Sequence, residues 1–204
     1  MPDFIYILTN EAMPGLIKIG KTSNSVAQRM RELDGSGTPL PFQCYYAARV
    51  ENAQFVETRL HKAFGDFRVR ANREFFRLDP FRAQSALELA ALEDVTPRGD
   101  VVETIADEEA ILRASRRRSV FRFSQVGIEA GAVLAFSRDQ TITATVINDR
   151  DIEFEGQVTS LSASAHTIVQ RLGYNWSAVA GPDYWIYDGE TLSERRRRFE
   201  EEGE

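Results

Sequence analysis

Phe4-Ile5-Tyr6-Ile7-Leu8-Thr9 and Leu16-Ile17-Lys18-Ile19-Gly20-Lys21-Thr22 are two apolar runs on either side of Pro14-Gly15, and they decide how the first half of the chain is read. Runs of this kind around a Pro-Gly turn predict a tight antiparallel hairpin. Ser25 to Leu33 follows, with Val26, Met30 and Leu33 at helical spacing, Ser25 and Gln28 placed as a capping box, and Gly35 as the stop. A helix there sets Arg29 beside the buried stripe. Tyr6, Lys18, Lys21 and Arg29 then converge at one end of the hairpin, a set suited to holding phosphate.

Outward from this stretch, Phe42, Cys44, Tyr46, Ala48 and Val50 alternate as a third strand after a Gly- and Pro-rich loop. Asn52 is the expected N-cap of a helix that runs to Phe64 and stops at Gly65. Val56, Leu60 and Ala63 form its expected apolar stripe, while Glu57 and His61, four apart, share another face. Phe67 to Asp79 is basic and aromatic, with Arg68, Arg70, Asn72 and Arg73 ahead of Glu74-Phe75-Phe76, and a further helix starts at Pro80. Each polar residue also has an ordinary reading. Arg29, Glu57 and His61 are common on solvated helix faces, and Asn72 is common in turns.

Phe4-Ile5-Tyr6, Lys18-Ile19-Gly20, the helix with Arg29, the later helix with Glu57 and the closing Arg73-Glu74-Phe75-Phe76 together resemble the GIY-YIG nucleases over residues 1 to 82. The similarity is greatest to the phage and bacterial branch that carries Lys-Ile-Gly-Lys-Thr in its second strand. The resemblance implies an α+β fold in which residues 1–92 build a small three-stranded antiparallel sheet flanked by helices. It also implies a DNA endonuclease dependent on Mg²⁺ or Mn²⁺ that leaves 5′-phosphate and 3′-hydroxyl ends. In that reading Tyr6 helps activate water, Arg29 binds the charged phosphoryl oxygens, and Glu57 is the single metal ligand. His61 contacts phosphate or relays a proton, and Lys21, Arg68, Arg70, Asn72 and Arg73 meet the nucleic acid. Two departures stand out. Phe4 occupies the place of a glycine, and Lys18 that of the second signature tyrosine, where it is either a base with a lowered pKa or a phosphate anchor.

Charge is unevenly spread. Residues 1 to 82 carry 12 Lys and Arg against 9 Asp and Glu, net +3, while residues 120 to 204 carry 8 against 14, net −6, and the whole chain stands at −6. Phosphate binding depends on local charge, so an acidic total is compatible with DNA but not with dense non-specific coating. Residues 93–119 are read as a charged linker and weak helix ending in Arg116-Arg117-Arg118, either a DNA contact or a helix end that complements its dipole.

Residues 120–204 are read as a second small α+β domain, with strands at Ala132 to Ser137, Thr141 to Ile147 and Asp151 to Val158, a helix from Ser162 to Leu172, and a terminal helix capped at Thr191. Gly131, Leu134, Ile152, Phe154, Gly156, Ser160, Trp176, Trp185 and Asp188-Gly189 resemble the RAMA-type domain of restriction and methylation systems. That resemblance implies a reader of DNA, including modified DNA. Trp176, Tyr184, Trp185 and Tyr187 most simply fill the small core of this domain, with an aromatic pocket for a base as the alternative.

The single Cys44 reads as a core thiol. No run of eighteen apolar residues and no basic-then-apolar N-terminus occurs, so a cytoplasmic protein with no membrane partner is expected. Double-stranded DNA is the expected partner, in restriction, phage defence or repair, and a homodimer would suit cutting of both strands. A DNA-binding module without catalysis and an interaction protein on the same fold are the alternatives. Neither a Cys/His zinc motif nor a phosphate-binding glycine loop is present.

Overall fold

The fold is given by a computed structural model, which describes residues 3–35, 37–102, 104–117 and 120–202, without the side chains of residues 115–117. It is an α+β chain that divides into two compact units between Arg116 and Arg117. Arg118 and the side chains of Arg116 and Arg117, read as a DNA contact or a helix end, lie outside the described residues.

In the first unit β1 (Asp3–Thr9) pairs with β2 (Ile17–Thr22) on one side and β3 (Gln43–Val50) on the other, all antiparallel. The hairpin is not tight. Asn10 to Leu16 separates its strands, pinned by Asn10, whose amide donates to the Leu40 carbonyl at 2.6 Å and whose oxygen accepts from the Ala12 N–H at 2.9 Å. Instead of three strands the sheet has five, because β4 (Phe75–Phe76) pairs with Ile17 and Lys18 and β5 (Glu93–Asp94) pairs with Ala48 and Arg49. The stretch expected to open a linker at Glu93 therefore closes the sheet. Thr96 secures it from within, its buried hydroxyl accepting from the Ala47 N–H at 2.9 Å.

Strand β1 is central, and side chains alternate between faces. Tyr6 and Leu8 face α1 (Val26–Leu33), where they pack with Val26 and Met30. Ile5 and Ile7 belong to the opposite face, where α2 (Ala53–Ala63) and α3 (Pro80–Glu88) lie against the sheet. Caps fix where these helices begin. Ser25 accepts from the Gln28 N–H, Asn52 from the Phe55 N–H, and Asp79 from the Phe81 N–H with Pro80 in the first turn. Only half of the expected capping box forms at Ser25, since the Gln28 side chain turns to Glu32 at 3.4 Å. The buried stripe of α2 is Ala53, Glu57 and Leu60, with Ala63 exposed, so Glu57 lies on the packed stripe rather than on a separate face. The helix also brings His61 to β2. Beyond the sheet, α4 (Ile105–Arg117) follows as a thirteen-residue helix.

The second unit is a six-stranded antiparallel sheet in which β6 (Val133–Phe136), β7 (Asp139–Val146), β8 (Asp151–Phe154) and β9 (Gln157–Ser160) succeed one another. Asp151 to Val158, expected as one strand, is a hairpin. Glu155 and Gly156 both take positive φ, 52° and 75°, and so reverse the chain. After α5 (Leu161–Arg171), β10 (Trp185–Tyr187) pairs with β6 and β11 (Glu190–Thr191), and α6 (Leu192–Glu202) ends the described chain. Trp185 is fully buried, edge-on to Phe136 and Phe154 with centroids at 5.4 and 6.1 Å. Among the described residues no helix is long and apolar enough to cross a membrane.

Candidate active site

Glycine at position 20 makes the site possible. Tyr6 and Gly20 are partners across the β1–β2 ladder, and a Cβ built on Gly20 would lie 2.5 Å from the Tyr6 oxygen and 2.7 Å from the carbon that bears it. The phenol thus crosses β2 where that strand has no side chain. Only 1% of Tyr6 is exposed. We expect Gly20→Ala to displace the ring and to lower stability by about 2 kcal/mol, as overpacking of a fixed core does. Chemical denaturation would measure this, and a loss under about 0.5 kcal/mol would show that the ring yields freely.

Charged groups from three places in the chain act on the Tyr6 hydroxyl: Arg29 on α1, Glu57 on α2 and Glu74 just before β4. Arg29, half-exposed on α1, meets the hydroxyl as a polar partner and bonds Glu32 at 2.9 Å. Burial pushes the Tyr6 phenol above its ordinary value of 10.0, the Arg29 guanidinium opposes that rise, and the negative charges of Glu74 and Glu57 add to it. Tyr6 is therefore a neutral phenol throughout the physiological range. Arg29 comes from α1 and Glu57 from α2, and both act on this one hydroxyl.

Glu57 is 7% exposed, and its Oε2 accepts from the Lys21 ammonium at 2.5 Å. Lys18, also 7% exposed, forms an ion pair with Glu74 and lies under the Phe75 ring, 5.5 Å from its centroid. Register explains the pairing. Lys18 is the β2 partner of Phe75, which places the preceding Glu74 beside it, and the Ile19 N–H donates to the Glu74 carbonyl at 3.1 Å. Burial raises the Glu74 carboxyl, but Lys18, with His61 and Lys21 behind it, outweighs burial and holds it below the usual carboxylate range. His61 has Nε2 3.0 Å from the Ile19 carbonyl and stacks on Phe76 at 5.1 Å. A carbonyl only accepts, so Nε2 carries the proton and a neutral ring leaves Nδ1 as acceptor.

Of the residues expected at the site, Tyr6, Lys18, Lys21, Arg29, Glu57 and His61 share this neighbourhood. Arg70, Asn72 and Arg73, expected to meet nucleic acid, are exposed on the loop before β4. Arg68 instead lies over the Phe76 ring at 5.6 Å and donates to the Arg73 carbonyl at 2.6 Å, which fixes the loop. Glu74 is the member that sequence reasoning passed over. Its signal was a lone carboxylate ahead of two phenylalanines, legible only once β4 is in register with Lys18.

Residues 3–91 match the family model of the T5orf172 domain. This domain stands in the nuclease-related group that includes GIY-YIG and HNH-like proteins. The matched segment contains every residue of the cluster, from Tyr6 to Glu74, and four of the five strands of the first sheet, β1 to β4. No curated protein and no solved structure matches the chain.

Proposed function

We propose that the T5orf172 segment is a metal-dependent DNA endonuclease that hydrolyses phosphodiesters to 5′-phosphate and 3′-hydroxyl ends. The observation that carries this is the Tyr6 hydroxyl reaching past Gly20 to a place where Arg29, Glu57 and Glu74 all act on it. Among the described residues no three His, Cys, Asp or Glu side chains cluster as a metal site. A hard cation such as Mg²⁺ or Mn²⁺ would rest on Glu57, water and substrate oxygens, a donor set that Mg²⁺ commonly accepts. Glu57 fits: it is a buried carboxylate that already carries a cation, the Lys21 ammonium. When bound, the ion would neutralise charge building on the departing 3′ oxygen.

The chain's own residues supply the rest. Arg29 offers a planar fork of donors to the phosphoryl oxygens. Tyr6 keeps its proton, orients that guanidinium and donates to a substrate or water oxygen. Glu74, held ionised, and Nδ1 of His61 are the groups able to accept the proton of an attacking water. Lys18, buried against Glu74, keeps that carboxylate ionised and in place. Lys18, at the place of the second signature tyrosine in the resemblance to the wider family, thus acts through Glu74.

We assign selection of the DNA target, including modified bases, to the second unit, following its RAMA-like pattern. Tyr174, Trp176 and Tyr184 gather around the Arg138 guanidinium with centroids 5.0, 5.4 and 6.0 Å away, but all three rings are buried and pack as core rather than as an open face for a base. A second reading, DNA binding without hydrolysis, is favoured by one observation: both site carboxylates already carry lysines.

Incubation of the full chain with plasmid and with modified and unmodified duplexes, in Mg²⁺ or Mn²⁺ and in chelator, tests these readings. Cutting that chelator abolishes, and that is absent in folded Arg29→Ala, supports hydrolysis. Shifted but uncut DNA under every condition gives the second reading.

A further inference from the structure

The two lysine–carboxylate pairs of the site are built in opposite senses. In the Lys18–Glu74 pair the lysine side chain is 8% exposed and the carboxylate 39%, whereas in the Lys21–Glu57 pair the lysine is 37% exposed and the carboxylate 10%. Lys18 is thus the fixed member of its pair, and Glu57 the fixed member of the other. Lys21 stands on β2 beyond Ile17 and Lys18, the positions paired with β4, and its side chain reaches solvent. Glu57 cannot follow, because it sits on the packed stripe of α2 between Ala53 and Leu60.

We propose that Lys21 is a resident counter-ion on Glu57 that is exchanged for a divalent cation when a DNA phosphate arrives, so that cation and phosphodiester enter the site cooperatively. The inference rests on Glu57 as the metal ligand. A carboxylate as buried as Glu57 is costly to leave unpaired, so without DNA the ammonium stays and a hydrated cation must displace it. A phosphodiester changes the balance by giving Lys21 a second anion, to which it can carry the same charge-assisted hydrogen bond. Both oxygens of Glu57 are then open. By linkage, phosphate tightens the cation and the cation tightens phosphate by the same factor. A site arranged this way stays closed to metal between substrates.

The test measures Mn²⁺ affinity of the full chain by electron paramagnetic resonance, with and without a short duplex, following cleavage on the same samples. Without DNA, Lys21→Met tightens Mn²⁺ about tenfold, a size usual for linked ligands, and Lys21→Arg, which can still sit on Glu57, stays close to wild type. In a Glu57→Gln background Lys21→Met changes nothing. With DNA, wild type gains Mn²⁺ affinity over Glu57→Gln, and Lys21→Met gains less. The exchange is overturned if Lys21→Met leaves DNA-free Mn²⁺ affinity unchanged, or tightens it equally in the Glu57→Gln background, which would be a general charge effect. If wild type and Glu57→Gln bind Mn²⁺ alike even with DNA, the assignment of Glu57 as metal ligand falls first.

Discussion

Glu57→Gln is expected to slow DNA cleavage by about a thousandfold or more while leaving the protein folded. A cation that neutralises the leaving oxygen contributes several kcal/mol to the barrier, and each 1.36 kcal/mol is a factor of ten. Glutamine keeps the shape of Glu57 and an oxygen that can accept from Lys21, so the stripe of α2 remains filled. The Lys21 ammonium loses its counter-charge, but it is 37% exposed and reaches water, so the stability change stays within about 1 kcal/mol. Single-turnover rates in saturating Mn²⁺, thermal unfolding and a gel shift together read the outcome. Cleavage within about tenfold of wild type would remove Glu57 from the chemistry, since an interaction worth less than 1.4 kcal/mol is not a metal ligand's share.

How much of this was legible in the sequence differs by element. The two apolar runs gave β1 and β2 because Ile5, Ile7, Ile17 and Ile19 are strand formers on one face, and the caps at Ser25 and Asn52 stood where local hydrogen-bonding chemistry demands them. The hairpin loop was misjudged because Pro14-Gly15 is only its tail, while Asn10, whose hydrogen bond runs thirty residues away to Leu40, sets its start. Glu57 was reached through family pattern. Read by periodicity alone it fell on the wrong face, since Ala63 looks like core until the end of α2 proves exposed.

Short polar elements escaped for a common reason. Strand β5 is Glu93-Asp94, two charged residues with no periodicity, recruited by backbone pairing to Ala48 and Arg49 and by the Thr96 hydroxyl. Glu74 owes its place to a pairing with Lys18 across more than fifty residues. Neither fact can be computed from a local window, because each depends on which strand arrives alongside. The β8–β9 reversal was more accessible: Glu155-Gly156 carried a turn glycine, overlooked because Glu155 is a non-glycine residue at positive φ and the flanking strands are only four residues long.

Gly181→Ala is expected to unfold the second unit or to cost it about 3 kcal/mol or more, the upper range for inserting a methyl into a closed contact. A Cβ at this position would lie 2.2 Å from the Leu161 carbonyl carbon and 2.4 Å from its oxygen and from the Ser162 nitrogen. All three are backbone atoms at the start of α5, so no side-chain rotation can make room. The same carbonyl accepts from the Trp185 indole N–H at 3.2 Å, and the Gly181 N–H donates to the Ser162 hydroxyl at 3.1 Å. Moving α5 away from residue 181 therefore also stretches both bonds of the buried Trp185 N–H, to the Leu161 carbonyl and to the Ser164 hydroxyl at 3.1 Å, and a buried donor left without either adds about 1–3 kcal/mol. Near-UV circular dichroism, which reads Trp176 and Trp185, should lose its tertiary signal in the variant. Gly189→Ala serves as the comparison: no atom lies within 4 Å of its added carbon, so its cost comes only from the positive φ of 80°. If Gly181→Ala costs no more than Gly189→Ala, the close approach of the Gly181–Asp183 turn to α5 is not what organises this unit.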